Sequence, residues 1–450
     1  MKRLFPRTRP TLTARRARFV VALSVLPVLA LSACSSAAPE AAGTADDPIV
    51  LELWDTDTRP ERTANLEKLI SMFEDENPGI TIDYLGLPTD SYMQKIGTAI
   101  ATGSTPDLVT PKASDLSALV AQDALAPLGD RFESGGWADQ IDESMVESTK
   151  AASPDGELYL TPATSLADTI YFRQDWLDEA GLEAPETWDD FYESATELTD
   201  AANGRFGYTI RGGTGFFSQF VEMVYPQAGV STFFDEDGVS TLNDPAVVEA
   251  AQKYVDLYKT TTAESDLTAD FKTMVALYSA GSTAMLSHSI GSYPTLVAAI
   301  GPDAVGAAVP FPADDGTSVL TGRMTTGFAM FKASEHQEAA WKFLEYTMSE
   351  EGNGFWAEAS GYIPGNVAVS EQAWVDDNPA ISAAIAASNA DGAEVLNQPF
   401  YLPEFNSITA SDMQPDWQLV LQGNMTVEDF LDTWADALTE AQQRYLEMTN

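Results

Sequence analysis

Cysteine is almost absent from this chain: among 450 residues there is one, Cys34. No intrachain disulfide can form, so stability must come from buried apolar area, which 44% hydrophobic residues in a chain this long supply amply. Basic residues are scarce as well. The sequence holds 24 Lys and Arg against 68 Asp and Glu, a balance that excludes nucleic acid as a partner and rules out an electrostatic hold on anionic lipid. Acidity of this kind reads as a solvated surface with no direct bearing on a ligand. Histidine occurs twice, at His288 and His336, and the sequence contains neither G-x-S-x-G nor H-E-x-x-H. The usual serine-hydrolase and zinc-enzyme signatures are therefore missing. There is no repeat of 20 to 50 residues and no second membrane segment.

One apolar run does exist, FVVALSVLPVLALSA at residues 19 to 33, behind Lys2, Arg3, Arg7, Arg9, Arg15, Arg16 and Arg18 with no acid among them. A run of about 15 residues containing Pro27 is too short for a stable membrane span and the right size for a secretory signal. It closes on Leu31, Ser32, Ala33 and Cys34, an order that resembles the bacterial lipobox. That resemblance implies a signal peptide over 1–33 and a diacylglyceryl group on Cys34. Two acyl chains, at about 0.8 kcal/mol per buried CH2, anchor a protein where one chain only marginally does. Residues 34–46, small and polar, read as a flexible tether off the membrane. Without residues 1–33 the chain keeps 17 basic groups against 68 acids.

Length suggests two or three domains. "IVLELWDT" is a short strand pattern; Leu66, Leu69, Ile70 and Phe73 follow at helical spacing, "NPG" stops the helix, and "ITIDYLGLP" alternates as a second strand. Strand, helix, strand implies a right-handed parallel crossover. Tyr92, Ile96 and Ile100 mark another helix before the brief strand in "PDLVTP", so the architecture is α/β. Farther on, Thr187 is placed to cap a helix carrying Trp188 and Phe191, and Asp244 with Pro245 opens another. A stripe from Val427 to Tyr445 marks a long terminal helix.

Several stretches together resemble the extracellular solute-binding proteins of sugar ATP-binding-cassette importers, the group that includes maltose-binding protein. The motifs are "LYLTPATSLADTIYFRQDWLDEAGLEAPETWDDFYESATELT" (158–199), "YSAGSTAMLSHSIGSY" (278–293), "AAWKFLEYTMSEEGNGFWAEASGYIPGNVAV" (339–369) and the terminal "LQGNMTVEDFLDTWADALTEAQ". The resemblance runs in order over residues 49–446. It implies an α/β fold of two lobes, of the periplasmic-binding-protein class II type, joined by three chain crossings with a ligand cleft between them. Carried onto this sequence, the crossings fall near Thr164 to Asp168, Val309 to Pro312 and Pro364 to Val369. Lobe one is then 47–164 plus 311–365, and lobe two 168–308 plus 369–446. Also implied are a sugar ligand, permease subunits as partners, a monomer, and no cofactor or metal.

A pyranose presents two apolar C–H faces and a rim of hydroxyls, so its site needs flat aromatic rings and charged or amide groups. Loops at the carboxyl ends of strands supply them in α/β sheets. By that logic, and by position in the family, "WDTDTRPE" presents Asp57, Thr58 and Arg59, and the loop after "PDLVT" presents Lys112, Ser114 and Asp115. Asp55, Asp57 and Arg59 superficially open a calcium loop, but Pro60 stands where glycine is needed and no glutamate occupies the twelfth place. "RGGTGFF" lacks the GxGxxG spacing and the Walker lysine, and so offers Arg211 and an aromatic, Phe216 or Phe217, rather than a phosphate cradle. His288, Ser289 and Tyr293 follow the Ala-Met strand where the family carries a stacking tryptophan; Gly291 interrupts the pattern and Tyr293 is the substitute. Ser165 lies in the first crossing, Arg323 precedes "TTGFAMF", Tyr362 sits in the third crossing, and "FYLPEF" contributes Tyr401 and Glu404. Two other readings stay open: a binder of a non-sugar organic solute, anionic only where Arg59, Arg211 and Arg323 converge, and a surface-anchored glycoside hydrolase.

Overall fold

The computed structural model describes residues 43–88, 91–388, 390 and 392–449. The signal segment, Cys34 and most of the expected tether lie outside the described residues. No helix among the described residues is long and apolar enough to cross a membrane.

Strand β1 (Ile49–Asp55), helix α1 (Pro60–Glu76) and strand β2 (Ile80–Gly86) form the expected unit, with β1 and β2 parallel and in register from Ile49 opposite Ile80. Pro60 at the first helical position needs no N–H partner. Leu66, Leu69, Ile70 and Phe73 are the residues α1 buries. Helix α2 (Tyr92–Thr102) ends on Gly103 at φ 67°, a left-handed turn that glycine enters without strain. Then come β3 (Leu108–Thr110) and helix α3 (Ala113–Ala121). The chain continues through β4 (Thr164–Leu166), β5 (Asp168–Arg173), β6 (Phe206–Tyr208), β7 (Thr283–Ser289), β8 (Val305–Ala308), β9 (Val319–Thr321), β10 (Met324–Thr326), β11 (Ala329–Met330), β12 (Ile363–Pro364) and β13 (Glu394–Leu396).

Two four-stranded sheets organise the two lobes, in the orders β11-β3-β1-β2 and β6-β7-β5-β8. Because successive strand side chains point to opposite faces, neighbouring residues feed different cores. Leu53, Leu108 and Met330 pack with α1 residues and Phe343 on one face of the first sheet, while Trp54, Val109 and Ala329 pack with Ile96 and Leu116 on the other. In the second sheet Ile170, Phe172 and Met285 meet Trp188, Phe220 and Trp417, whereas Tyr171 and Leu286 meet Met274 and Ile381. Helices thus cover both faces of each sheet. A short third sheet, β10-β4-β12, is antiparallel and stands where the chain passes between lobes: β4 is followed after one residue by β5 of the second large sheet.

The segment from Phe311 departs from the expected boundary. Trp188 donates its indole N–H to the Phe311 carbonyl at 2.9 Å and meets the Phe311 ring edge-on at 5.4 Å, and Val319 joins the same core. A buried indole holds its acceptor and its ring partner together. Residues 311–321 therefore pack with the second lobe's core, and the chain leaves it at β10. Past β12, Val369 still packs beside Gly354, and Val375, Ala380 and Ile381 then enter the core shared with Tyr171.

Candidate functional site

The end of β1, the loop after it and the first turn of α1 bring four charged groups to the first lobe's edge. Asp55, fully buried, accepts hydrogen bonds from Thr110 Oγ1 at 2.5 Å and Arg62 Nη2 at 3.0 Å. Arg62 lies 5.0 Å from the Trp356 ring centroid. Burial disfavours its charge, but the Asp55 carboxylate more than offsets this and holds the guanidinium pKa above its ordinary value. One step outward, Asp57 accepts from Arg59 Nε at 2.8 Å. Burial works against the Asp57 charge too, yet Arg59 outweighs it and the carboxyl pKa is lowered. Both acids are satisfied by arginines of their own lobe.

The second lobe's wall is built differently. Arg211 is 8% exposed. Its Nη1 donates to the Gly215 carbonyl at 3.0 Å and its Nε faces Met274 Sδ at 3.3 Å; among the described residues it has no carboxylate in ion-pair contact and Nη2 has no partner. Burial pushes its pKa down. The Asp168 carboxylate at the start of β5 exerts a field on Arg211 without touching it, and burial raises its pKa. At the end of β7, His288 bonds Ser292 Oγ through Nδ1 at 2.7 Å and the Phe271 carbonyl through Nε2 at 3.2 Å. A carbonyl only accepts, so Nε2 carries the proton and Nδ1 accepts from Ser292. Burial, then the Arg211 charge, push His288 down to about 3, and the ring is neutral.

These walls enclose a cavity of about 370 Å3. Of the expected site residues, Asp57, Arg59, Lys112, Ser114, Arg211, Phe217, His288, Ser289 and Tyr362 line it. Gly291 matters through what it lacks: a Cβ there would come within 2.6 Å of Tyr362 Cε1, so the glycine makes room for the ring that borders the cavity. Across the lobes, Ser117 Oγ donates to the Tyr401 carbonyl at 2.7 Å, Asn406 Nδ2 to Asp115 Oδ1 at 2.5 Å, and Tyr445 OH to the Pro154 carbonyl at 2.9 Å.

Eight expected residues do not line the cavity. Thr58 is exposed, beside Gly86. Asp115 is buried behind the wall and bonded by Asn406; burial pushes it up to about 7 despite that bond. Ser165 is buried inside the short β10-β4-β12 sheet, between Thr325 and Ile363. Phe216 turns into the core and stacks on Trp417 at 5.4 Å, leaving Phe217 to face the cavity. Tyr293 opens a helix and packs with the core that holds Tyr171 and Leu286. Arg323 turns toward the Ala384 carbonyl at 3.4 Å. Tyr401 pairs with Tyr445 at 4.8 Å and donates to Gln442, and Glu404 meets Arg444 at 3.3 Å, both outside the cleft. Residues that sequence reasoning missed include Asp168, Phe271, Gln398, Phe400, Phe405 and Asn406. Phe400 and Phe405 flank the two residues chosen from "FYLPEF"; a turn-rich stretch has no periodicity to show which side chains face inward.

Residues 57–354 match the family described as bacterial extracellular solute-binding protein. The chain belongs to that family. This solute-binding protein is 26% identical over 343 residues, 74% of its own length and 77% of the relative's, to YcjN of Escherichia coli strain K12, a candidate ABC transporter periplasmic-binding protein by its name. It is 29% identical over 279 residues to the arabinooligosaccharide-binding protein of Halalkalibacterium halodurans, covering 59% of this chain and 60% of that one. In fold it is similar to an ABC transporter solute-binding protein from Thermotoga lettingae bound with α-D-tagatose, with a TM-score of 0.76, 20% identity, and coverage of 88% of this chain and 100% of that chain. The two-lobe α/β architecture is that of these proteins. Family membership places the solute-binding protein outside the cytoplasm.

Proposed function

We propose that the protein captures a sugar or related polyol outside the cell, closes around it, and delivers it unchanged to the permease of an ABC importer. The observation that carries this reading is the cavity itself: loops of both sheets meet around it, with open hydrogen-bonding groups on Arg211 and Asp168 beside the rings of Phe217, Phe271 and Tyr362. Rings suit pyranose faces and charged groups suit hydroxyls. At about 370 Å3 it lies at the small end of ligand sites, roughly 300 to 1,000 Å3, which favours a mono- or disaccharide. The sugar- and oligosaccharide-binding names among its relatives support the same class. Charged hydrogen bonds contribute about 1.5 to 3 kcal/mol each, so three or four suffice for micromolar binding near 8 kcal/mol.

Lobe one in this reading is 47–164 with about 325–370, lobe two the remainder to 446, and β10-β4-β12 the hinge. Cys34 carries the lipid that holds the protein at the membrane, and residues 34–46 let the lobes reach the permease. Replacing Cys34 with alanine releases the protein into the medium; retention in the membrane fraction would refute the anchor. No catalytic step is part of the proposal, and release of shorter sugars from oligosaccharides would replace it with the hydrolase reading. The direct test is a calorimetric and thermal-shift panel of sugars and polyols, since a ligand bound to the native state raises stability by mass action. Silence across the panel together with a response to another solute class would overturn the sugar assignment.

A further inference from the structure

The cavity is the place where this acidic chain reverses its charge. Arg59, Lys112 and Arg211 line it, against Asp57 and Asp168. Asp57 is spent on Arg59, with an ion-pair distance of 2.8 Å. Arg211 is the opposite case: more than nine-tenths buried, aimed into the cavity, and holding an Nη2 that no described residue engages. A guanidinium is charged at any pH the folded chain meets. A buried charge without a counter-ion is costly, and a ligand that supplies the opposite charge recovers that cost.

Backbone dipoles point the same way. The helix Phe216–Ala228 starts at Gly215 without a side-chain cap, and Gly215, Phe217 and Ser218 border the cavity. Its first-turn N–H groups carry the positive end of the helix dipole. Helix α3, on the facing lobe, also starts uncapped at Lys112, and Ala113 and Ser114 border the same cavity. The first turn of the helix Phe216–Ala228 holds no acid, and that of α3 holds Asp115 alone. Burial pushes Asp115 up to about 7, which makes it a weak counterweight.

Resting on the sugar-binding reading above, we propose that the ligand is a hydroxylated anion: a sugar or polyol bearing a carboxylate or phosphate, its charge against Arg211 and the start of the helix Phe216–Ala228. Its hydroxyls donate to Asp168, whose carboxylate makes no hydrogen bond to a described residue. The condition set by the sequence, that Arg59, Arg211 and Arg323 converge before an anionic solute is credible, is not met in that form, because Arg323 turns to the Ala384 carbonyl; the basic groups the cavity gathers are Arg59, Lys112 and Arg211.

Titration calorimetry on the purified full-length protein with matched pairs decides it: glucose against glucuronate, galactose against galacturonate, glucitol against gluconate, and glucose against glucose 6-phosphate. At least one anion should bind tenfold or more tightly than its neutral partner, and whether that anion is a carboxylate or a phosphate identifies the group. Arg211→Gln should abolish the preference while Arg211→Lys retains part of it, with circular dichroism melting curves to show that both variants fold. Lys112→Gln, on the other lobe, should reduce the same preference severalfold. Neutral sugars binding as tightly as their acids would overturn this inference and leave the sugar reading intact; silence from every pair would overturn both.

Discussion

The two walls of the cleft solve the same electrostatic problem in opposite ways. On the first lobe, Asp55 is fully buried but held by Arg62 at 3.0 Å and Thr110 at 2.5 Å, and Asp57 outside it is held by Arg59. On the second lobe, Arg211 and Asp168 feel each other's field without contact, and His288 is kept neutral between Ser292 and the Phe271 carbonyl. A wall whose charges are paired internally holds a shape. A wall whose charges are left open holds affinity in reserve, because its polar groups gain partners only when a ligand arrives.

The sharpest break in that contrast is a pair of variants on ligand-free protein. Arg62→Met strips Asp55 of its counter-ion and should cost about 3 to 5 kcal/mol in denaturant unfolding, since it leaves a buried carboxylate unpaired. Arg211→Met removes a charge that has no protein counter-ion and should fall within about 1 kcal/mol of wild type, with ligand affinity lost instead. Equal losses in the two would show that the walls do not differ. Gly291→Ala comes next. The added methyl must displace the Tyr362 ring, and overpacking of this kind costs about 1 to 3 kcal/mol; melting curves should fall accordingly and ligand affinity with them.

Proton linkage gives a smaller effect of opposite sign on the two sides. Asp115 has its carboxyl raised from 3.8 to about 7 by burial, so its contribution is fully present below 3.8 and is lost as pH rises toward 7. His288 is lowered from 6.5 to about 3, so its contribution is present above 6.5 and is lost as pH falls toward 3. Asp115→Asn should flatten the pH dependence of unfolding between about 4 and 7 by on the order of 1 kcal/mol per pH unit, and His288→Gln should lessen acid destabilisation below 6.5. An unchanged slope in Asp115→Asn would place the group's folded-state pKa near its ordinary value. The smallest change is expected for Asp57→Asn, whose half-buried pair with Arg59 is worth about 0.2 to 1 kcal/mol of stability in the same unfolding measurement.

Much of the fold was legible because it rests on local rules. The apolar spacing of Leu66, Leu69, Ile70 and Phe73, the proline at the start of α1 and the Thr187 capping box are each set within a few residues of chain. The cleft was legible by half. Arg211, His288 and Asp57 stand where strands end, and strand ends could be read. Tyr362 was found as well, but the reason it reaches the cavity, the missing Cβ at Gly291, joins residues far apart in sequence. Tyr401 and Glu404 went astray beside Phe400 and Phe405, because a turn carries no alternation to mark its inner face.

By itself, then, the sequence determined the α/β order of elements, the strand ends that carry charge, and a chain whose single cysteine cannot brace it. These follow from periodicity, caps and composition, which act over a few residues. Only the tertiary structure decided which arginines find partners, which phenylalanine of the 216–217 pair faces the cavity, and that Phe311 belongs with Trp188. Pairing and burial are properties of groups brought together from distant parts of the chain, and no local pattern encodes the charge that is left without a neighbour.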